Sequence, residues 1–274
     1  MFRKEILGIL KSRSSMIAII FICLIPLIDL LLIIYQGAIW DYYLHREAYE
    51  YIYPAGDFLP HPSMASFLSG YSIGHLPQRM LKWLLPIYLL IIYCDSPIRE
   101  KKLQYNSLLY IRTTRTNVIK NKILVAFLVP MVIIFIALMI NYILCNIVFH
   151  TGTSFSGHEI TVARGGLNAW TRFCILNPII SYILYILFFT LITGVVGIQS
   201  LVIATVFQDY KIVYPFAFVL WYIEYNMLAI GYSATQPYTE DNLSLTMGSI
   251  FFYIIIGIIF SVFGYIYNKK REVL

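Results

Sequence analysis

ILVAFLVPMVIIFIALMINYILCNIVF, residues 123–149, runs for 27 residues without a charged side chain. An α-helix rises about 1.5 Å per residue, so about 20 such residues cross the hydrocarbon core of a bilayer. Five further apolar stretches approach the same length. They lie at residues 16–35, 77–95, 176–207, 212–231 and 247–268. The pattern predicts an all-α membrane protein of six transmembrane helices forming a single domain over residues 1–274.

Composition agrees. Hydrophobic residues make up 59% of the 274, charged residues only 12%, and the mean hydropathy is +0.75. A soluble domain carries about 25% charged residues to cover its surface. Here lipid takes that part. The four cysteines, Cys23, Cys94, Cys145 and Cys174, have no metal-site spacing and read as small hydrophobes.

The basic residues set the direction of the spans. Fifteen of the twenty Lys/Arg fall at the N-terminus, in residues 95–122, at Lys211 and at the C-terminus. Five, Arg46, Arg79, Lys82, Arg164 and Arg172, fall on the other side. The positive-inside rule then places both termini in the cytoplasm. The net charge of +6 follows from these loops and implies no nucleic-acid partner. Arg79 and Lys82 open the weaker second span and are expected to snorkel outward. The fourth span exceeds what a bilayer needs, so a tilt, a bend near Gly194 and Gly197, or a cytosolic projection is expected.

Two flanking regions have their own character. Residues 1–15 place Phe2, Ile6, Ile9 and Leu10 on one side of a helix, with Arg3, Lys4, Lys11 and Arg13 mostly elsewhere, which predicts an interfacial helix. The outer loop, 36–76, is tyrosine-rich and broken by Pro54, Pro60 and Pro62, and reads as a cap along the outer leaflet.

Catalytic signatures are sparse. Gly70 to Gly74 matches the G-x-S-x-G string of hydrolases, but that string acts only between a strand and a helix. The five histidines, His45, His61, His75, His150 and His158, form no HExxH or i, i+4 pair, so interfacial hydrogen bonding is their default reading. No GxxxxGK[ST] loop is present, which leaves the chain without its own ATP site. Neither a metal nor a catalytic constellation is expected. Two carboxylates within spans stand out: Asp29 in the first and Glu224 in the fifth. A charge in hydrocarbon costs a few kcal/mol at least, so each reads as a pathway residue, a polar contact between spans or a headgroup neighbour. Asn141, Asn146, Asn226 and Gln199 are candidates for further polar contacts between helices.

The cytoplasmic segment 95–122 is the most specific feature. It begins Asp95-Ser-Pro-Ile-Arg99-Glu100-Lys101-Lys102, continues through Leu108-Leu109 and Arg112-Thr113-Thr114-Arg115, and ends at Lys122, where the third span opens. Its apolar pair suits a surface element pressed against another protein or the inner leaflet. This segment resembles the permease subunit of ABC transporters of the second export class (ABC-2 type), which have six spans and cytoplasmic termini. In that family a charged cluster after the second span is followed by Gly-Thr, a Leu pair, Pro-Val-Ser-Arg and a Lys opening the third span. Here Arg99-Glu100-Lys101-Lys102 fall on the cluster, Leu108-Leu109 on the Leu pair, Thr114-Arg115 on the Ser-Arg, and Lys122 on the Lys. Leu103-Gln104 replace the Gly-Thr, and Arg112 replaces the Pro.

The resemblance implies an ATP-driven exporter of an amphipathic cargo such as a peptide, an antibiotic or a lipid-like compound, multi-pass in the bacterial plasma membrane. It implies a separate P-loop ATPase partner holding ATP and Mg, and a second permease copy or homologue. Arg99, Glu100, Lys101, Leu108, Leu109, Arg115 and Lys122 would form the ATPase-coupling contact, together with the N-terminal helix. The alternative is a non-transporting polytopic immunity or assembly factor with the same spans and no ATPase. An intramembrane enzyme would need companions for Asp29 and Glu224 that the spans lack.

Overall fold

A computed structural model of the chain describes residues 2–35, 60–70, 76–103, 114–155, 168–227, 230–239 and 241–270. These residues are helical apart from short turns, and their only β contact is an isolated bridge between Pro60 and Ser154. Four helices are long and apolar enough to cross a membrane. They are α2 (Arg13–Ile33), α7 (Arg115–Val148), α9 (Pro178–Phe207) and α12 (Leu243–Lys270). An amphipathic helix, α1 (Phe2–Lys11), precedes α2 and packs on α2 and α7. Ser12 separates α1 from α2, its hydroxyl accepting from the backbone N–H of Ser15.

The remaining two expected spans are interrupted. Residues 77–95 form α4 (Leu76–Trp83), a turn at Leu84, α5 (Leu85–Leu89) and a π turn (Leu90–Cys94). Pro86 lies in the first turn of α5, where its missing N–H costs nothing, and it separates the two pieces. Residues 212–231 form α10 (Tyr210–Tyr222), a second π turn (Ile223–Met227) and the start of α11 (Ile230–Thr235). Two shorter helices complete the set, α3 (Pro62–Ala65) and α6 (Ser96–Lys102), while α8 (Ala169–Leu176) leads into α9.

The helix α9 is the centre of the bundle. It packs against α7, α12, α10, α5 and α6, and 61% of its most apolar window is buried, against 39, 33 and 28% for α2, α7 and α12. Across Gly194 and Gly197, α9 is one continuous helix from Pro178 to Phe207. The glycines admit α7. A Cβ built on Gly197 would lie 2.1 Å from the carbonyl oxygen of Ala126, which no real contact tolerates. Small residues at such crossings let backbones meet directly, the usual packing device where lipid supplies no hydrophobic drive between helices.

The described part of the outer loop departs from the expected surface cap. Residues 62–70, Met64 excepted, are buried, with Ala65, Phe67 and Leu68 at 0% exposure. This segment dips into the bundle between α2, α7 and α9. Its short helix and tight turn satisfy only part of its backbone, and side chains of three helices supply further bonds. Asn141 of α7 accepts from the N–H of Phe67 at 3.0 Å, and Tyr182 of α9 accepts from that of Leu68 at 3.1 Å. Gln78 of α4 donates to the carbonyls of Phe67 and Leu68 at 3.1 and 2.7 Å. Irregular backbone among span-length helices is viable only when protein covers it in this way. Gly70 ends the segment at φ +69°, with the Gln78 amide 2.8 Å from where a Cβ would sit. The first glycine of the G-x-S-x-G string is thereby a turn residue; the serine, Ser72, lies outside the described residues.

Gly197→Ala should force α7 and α9 apart. The expected loss is about 1–3 kcal/mol, the usual cost of overpacking, read as a lower melting temperature of the detergent-solubilised protein. Gly248, whose added Cβ would meet nothing within 4 Å, is the control, and its alanine variant should melt close to the parent.

Candidate functional site

Two polar assemblies interrupt the apolar bundle. The first joins α1, α6 and α7. Pro97 in the first turn of α6 starts a short helix that delivers Arg99 and Glu100, and α7 starts after Thr114 in extended conformation. Lys122, two turns into α7, forms an ion pair with Glu100, both side chains being only 12–13% exposed. Sequence separates these two residues by 22 positions, and the fold brings them together. Glu5 of α1 is a third member, within electrostatic reach of Lys122, Glu100 and the Tyr93 hydroxyl. Burial lifts the Glu5 pKa above the ordinary carboxylate value, Lys122 opposes that rise, and the like charge of Glu100 adds to it.

The other coupling-segment residues take different positions. Arg99 turns back to Asp95 at 2.8 Å, an i, i+4 pair within its own turn. Lys101 is exposed, while Lys102 lies over the ring of Tyr210 at 4.5 Å, linking α6 to the first turn of α10. Arg115 is the first residue of α7. Leu108 and Leu109 lie outside the described residues.

The second assembly is in the interior, where both carboxylates singled out by sequence are buried. Asp29 in α2 is 1% exposed and Glu224 in the second π turn 5%. They have different neighbours. Gln199 of α9 donates through Nε2 to both carboxylate oxygens of Glu224, at 2.9 and 3.2 Å. Asp29 lies within electrostatic reach of Lys82. That lysine does not snorkel: it is 3% exposed, and its Nζ donates to the Thr235 carbonyl at 3.3 Å. A negative charge nearby and a carbonyl from α11 offset the cost of enclosing it. The backbone carbonyl of Lys82 accepts from the Trp221 indole at 2.6 Å, so α4 and α10 are joined there too.

Among the amides expected between helices, Asn141 donates to the Pro26 carbonyl of α2 at 2.8 Å, and Gln199 reaches Glu224 as above. Asn146 and Asn226 instead bond carbonyls of their own helices, at Tyr142 and Tyr222. Tyr182 and Gln78 carried no sequence signal, since a tyrosine or glutamine near a helix end is ordinary. Among the described residues no group of three or more His, Cys, Asp or Glu is placed to hold a metal. His61 caps α3, its Nδ1 accepting from the N–H of Ser63, and its ring stacks on Phe155 at 4.8 Å. His45, His75 and His158 lie outside the described residues.

The chain is similar along nearly its whole length to the uncharacterized protein YybM of Bacillus subtilis (strain 168). The two share 26% identity over 256 residues, covering 92% of this chain and 93% of that protein. No family model and no solved structure matches.

Lys122→Met should leave Glu5 and Glu100 facing each other without a cation. The expected cost is about 2 kcal/mol, somewhat below that of breaking a fully enclosed pair. Glu100→Gln together with Lys122→Met should recover part of it, giving a positive coupling in a double-mutant cycle. Glu5 adds a pH dependence. The folded chain holds its proton more tightly than the unfolded chain, so its contribution to stability is complete below the ordinary carboxylate pKa. It is lost as pH rises through the raised value. Melting temperatures between about pH 4 and pH 7 should therefore fall in the parent relative to Glu5→Gln. A constant difference would mean that Glu5 is not enclosed.

Proposed function

We propose that this chain is the membrane-spanning subunit of an ATP-driven exporter, with six spans and both termini in the cytoplasm of a bacterial cell. Two of the six spans are the interrupted segments 76–94 and 210–235. The observation that carries this reading is the Glu100–Lys122 pair with Glu5 beside it. It joins the N-terminal helix, the turn after the second span and the start of the third into one unit. An ATPase subunit pressing on that face would move α7 directly, and α7 meets the central helix α9 backbone to backbone at Gly197. ATP and Mg would be held by the partner ATPase; this chain contributes no catalytic residue. A second permease copy or homologue completes the path.

Cargo of amphipathic character fits an interior that combines aromatic rings with a few enclosed charges. Closure of the ATPase would rock the spans between inward- and outward-open states, and the free energy for that shift would come from differential contact of the ATPase with the two states.

Mild-detergent purification of the tagged chain from its native host should bring down a P-loop ATPase in stoichiometric amount, identified by mass spectrometry. Glu100→Lys should leave insertion and ATPase binding intact while breaking the dependence of ATP hydrolysis on transport, with a drop in transport of tenfold or more expected from loss of a positioned ion pair worth about 1.4 kcal/mol. Recovery of the chain alone, with lipid and crosslinker present, would replace this reading with that of a non-transporting immunity or assembly factor.

A further inference from the structure

We propose that Glu224, with Gln199, Trp221, Tyr225 and Tyr253, is a binding site for the primary ammonium group of a cationic amphipathic ligand. The identification of that ligand as cargo rests on the exporter reading; the site itself stands on its own geometry.

The first observation is an imbalance of charge. The enclosed acidic groups at the α6–α7 face have basic partners, Glu100 with Lys122 and Asp95 with Arg99. Asp29 lies in the field of Lys82. Glu224 has a neutral amide, and no basic side chain among the described residues pairs with it. A carboxylate 5% exposed, without a counter-charge, is costly in an apolar interior and calls for a cation.

The second observation is the shape of the surroundings. The Gln199 amide presents one nitrogen to both oxygens of Glu224, which is the arrangement an ammonium nitrogen would adopt in its place. An aromatic cluster adjoins Glu224: Tyr225 is its chain neighbour, and Tyr253 lies within reach of its charge. Trp221 lies 5.2 Å from Tyr225 and 6.0 Å from Tyr253, centroid to centroid, and all three are buried. Aromatic rings near a carboxylate suit an organic cation, whereas hard metal ions take six or more oxygen ligands.

The third observation is the Tyr253 hydroxyl. It is fully enclosed and has no hydrogen-bond partner among the described residues, although the charge of Glu224 acts on it. Enclosed hydroxyls are nearly always satisfied, so an unsatisfied one near an uncompensated carboxylate leaves its oxygen free to accept from an arriving ammonium group. Gly231 makes room for this hydroxyl, which lies 2.8 Å from the position an added Cβ would take. The π turn at Ile223–Met227 places Glu224 and Tyr225 together on the inner face, and such turns recur at functional sites. In this closed arrangement Gln199 occupies the carboxylate; an arriving ammonium would displace it.

The full chain in nanodiscs of neutral phosphatidylcholine, titrated with dodecylammonium and separately with dodecanol, tests this by thermal melting. The parent should be stabilised saturably by dodecylammonium and not by dodecanol. Glu224→Gln keeps the size of the side chain and should weaken the apparent affinity about tenfold, the loss of a charge-assisted contact. Tyr253→Phe removes a hydroxyl that bonds to nothing here and should weaken it a few-fold; should Glu224→Gln not fold, this variant decides alone. Identical dodecylammonium curves in the parent and both variants, or an equal response to dodecanol, would overturn the site. No ATPase takes part, so that failure would leave the exporter reading standing, and a missing ATPase would leave the ammonium site standing.

Discussion

A polar group enclosed among apolar helices has no water to return to, and the long-range hydrogen bonds in this bundle answer that constraint. An unsatisfied amide or hydroxyl in an apolar medium costs several kcal/mol. Asn141 therefore uses both ends of its side chain, one on the Pro26 carbonyl and one on the Phe67 N–H. Ser15 of α2 gives its hydroxyl hydrogen to the carbonyl of Ile92 in the first π turn at 2.7 Å. Each bond crosses between elements far apart in sequence, so each fixes the relative position of two helices as it satisfies a group. The broken segment 62–70, a single short helix and a tight turn, exists inside the bundle for the same reason: Asn141, Tyr182 and Gln78 supply bonds that a longer helix would have supplied internally.

The long helices were legible because hydropathy integrates over many residues. A stretch such as 123–149 has no other stable arrangement, and α7 extends it only on the polar side, back to Arg115. The charged turn was legible in part. Glu100 and Lys122 were singled out and do meet, yet Glu5 was missed because a carboxylate in a basic N-terminal helix reads as a solvated residue. Lys82 was misplaced for a related reason. Near the end of a span a lysine normally reaches for the headgroups, but Asp29 and the Thr235 carbonyl give this one an interior destination. Neither partner is visible from the sequence around residue 82. The burial of residues 62–70 was equally hidden, since prolines and small polar residues describe a loop on a surface as well as a loop inside.

The two buried carboxylates show how similar sequence signals divide once the fold is known. Asp29 belongs to a region with Lys82 and fits a structural tie between α2, α4 and α11. Among the described residues, Glu224 has only Gln199 as a hydrogen-bond partner. A charge answered by a fixed countercharge is stable where it is and tends to hold its elements in place. A charge answered by a neutral amide is the one whose energy changes most when something cationic arrives. The asymmetry, and not the bare presence of acidic residues in spans, separates the structural carboxylate from the one with capacity to bind.

The positions of these assemblies relative to the central helix give the bundle a physical sequence of contacts. Lys122 and Ala126 lie one turn apart on α7; the Ala126 carbonyl faces Gly197 of α9; the Gly197 carbonyl accepts from the Cys94 thiol at 3.3 Å; and Gln199, two residues on, holds Glu224. Adjacency alone does not establish coupling, which requires an element with two discrete arrangements that both ends bias. If the proposed ammonium site is right, Gln199 is such an element, its amide resting on the Glu224 carboxylate here and displaced from it when a cation binds. A displacement of α7 imposed at Lys122 reaches α9 at a crossing with no slack, since the glycine contact leaves no side chain to absorb the motion. Gln199 follows that crossing on the same helix and carries the bond to Glu224. The packed glycine and the exchangeable amide are thus parts of one constraint, the first making the helix pair stiff and the second giving that stiffness something to act upon.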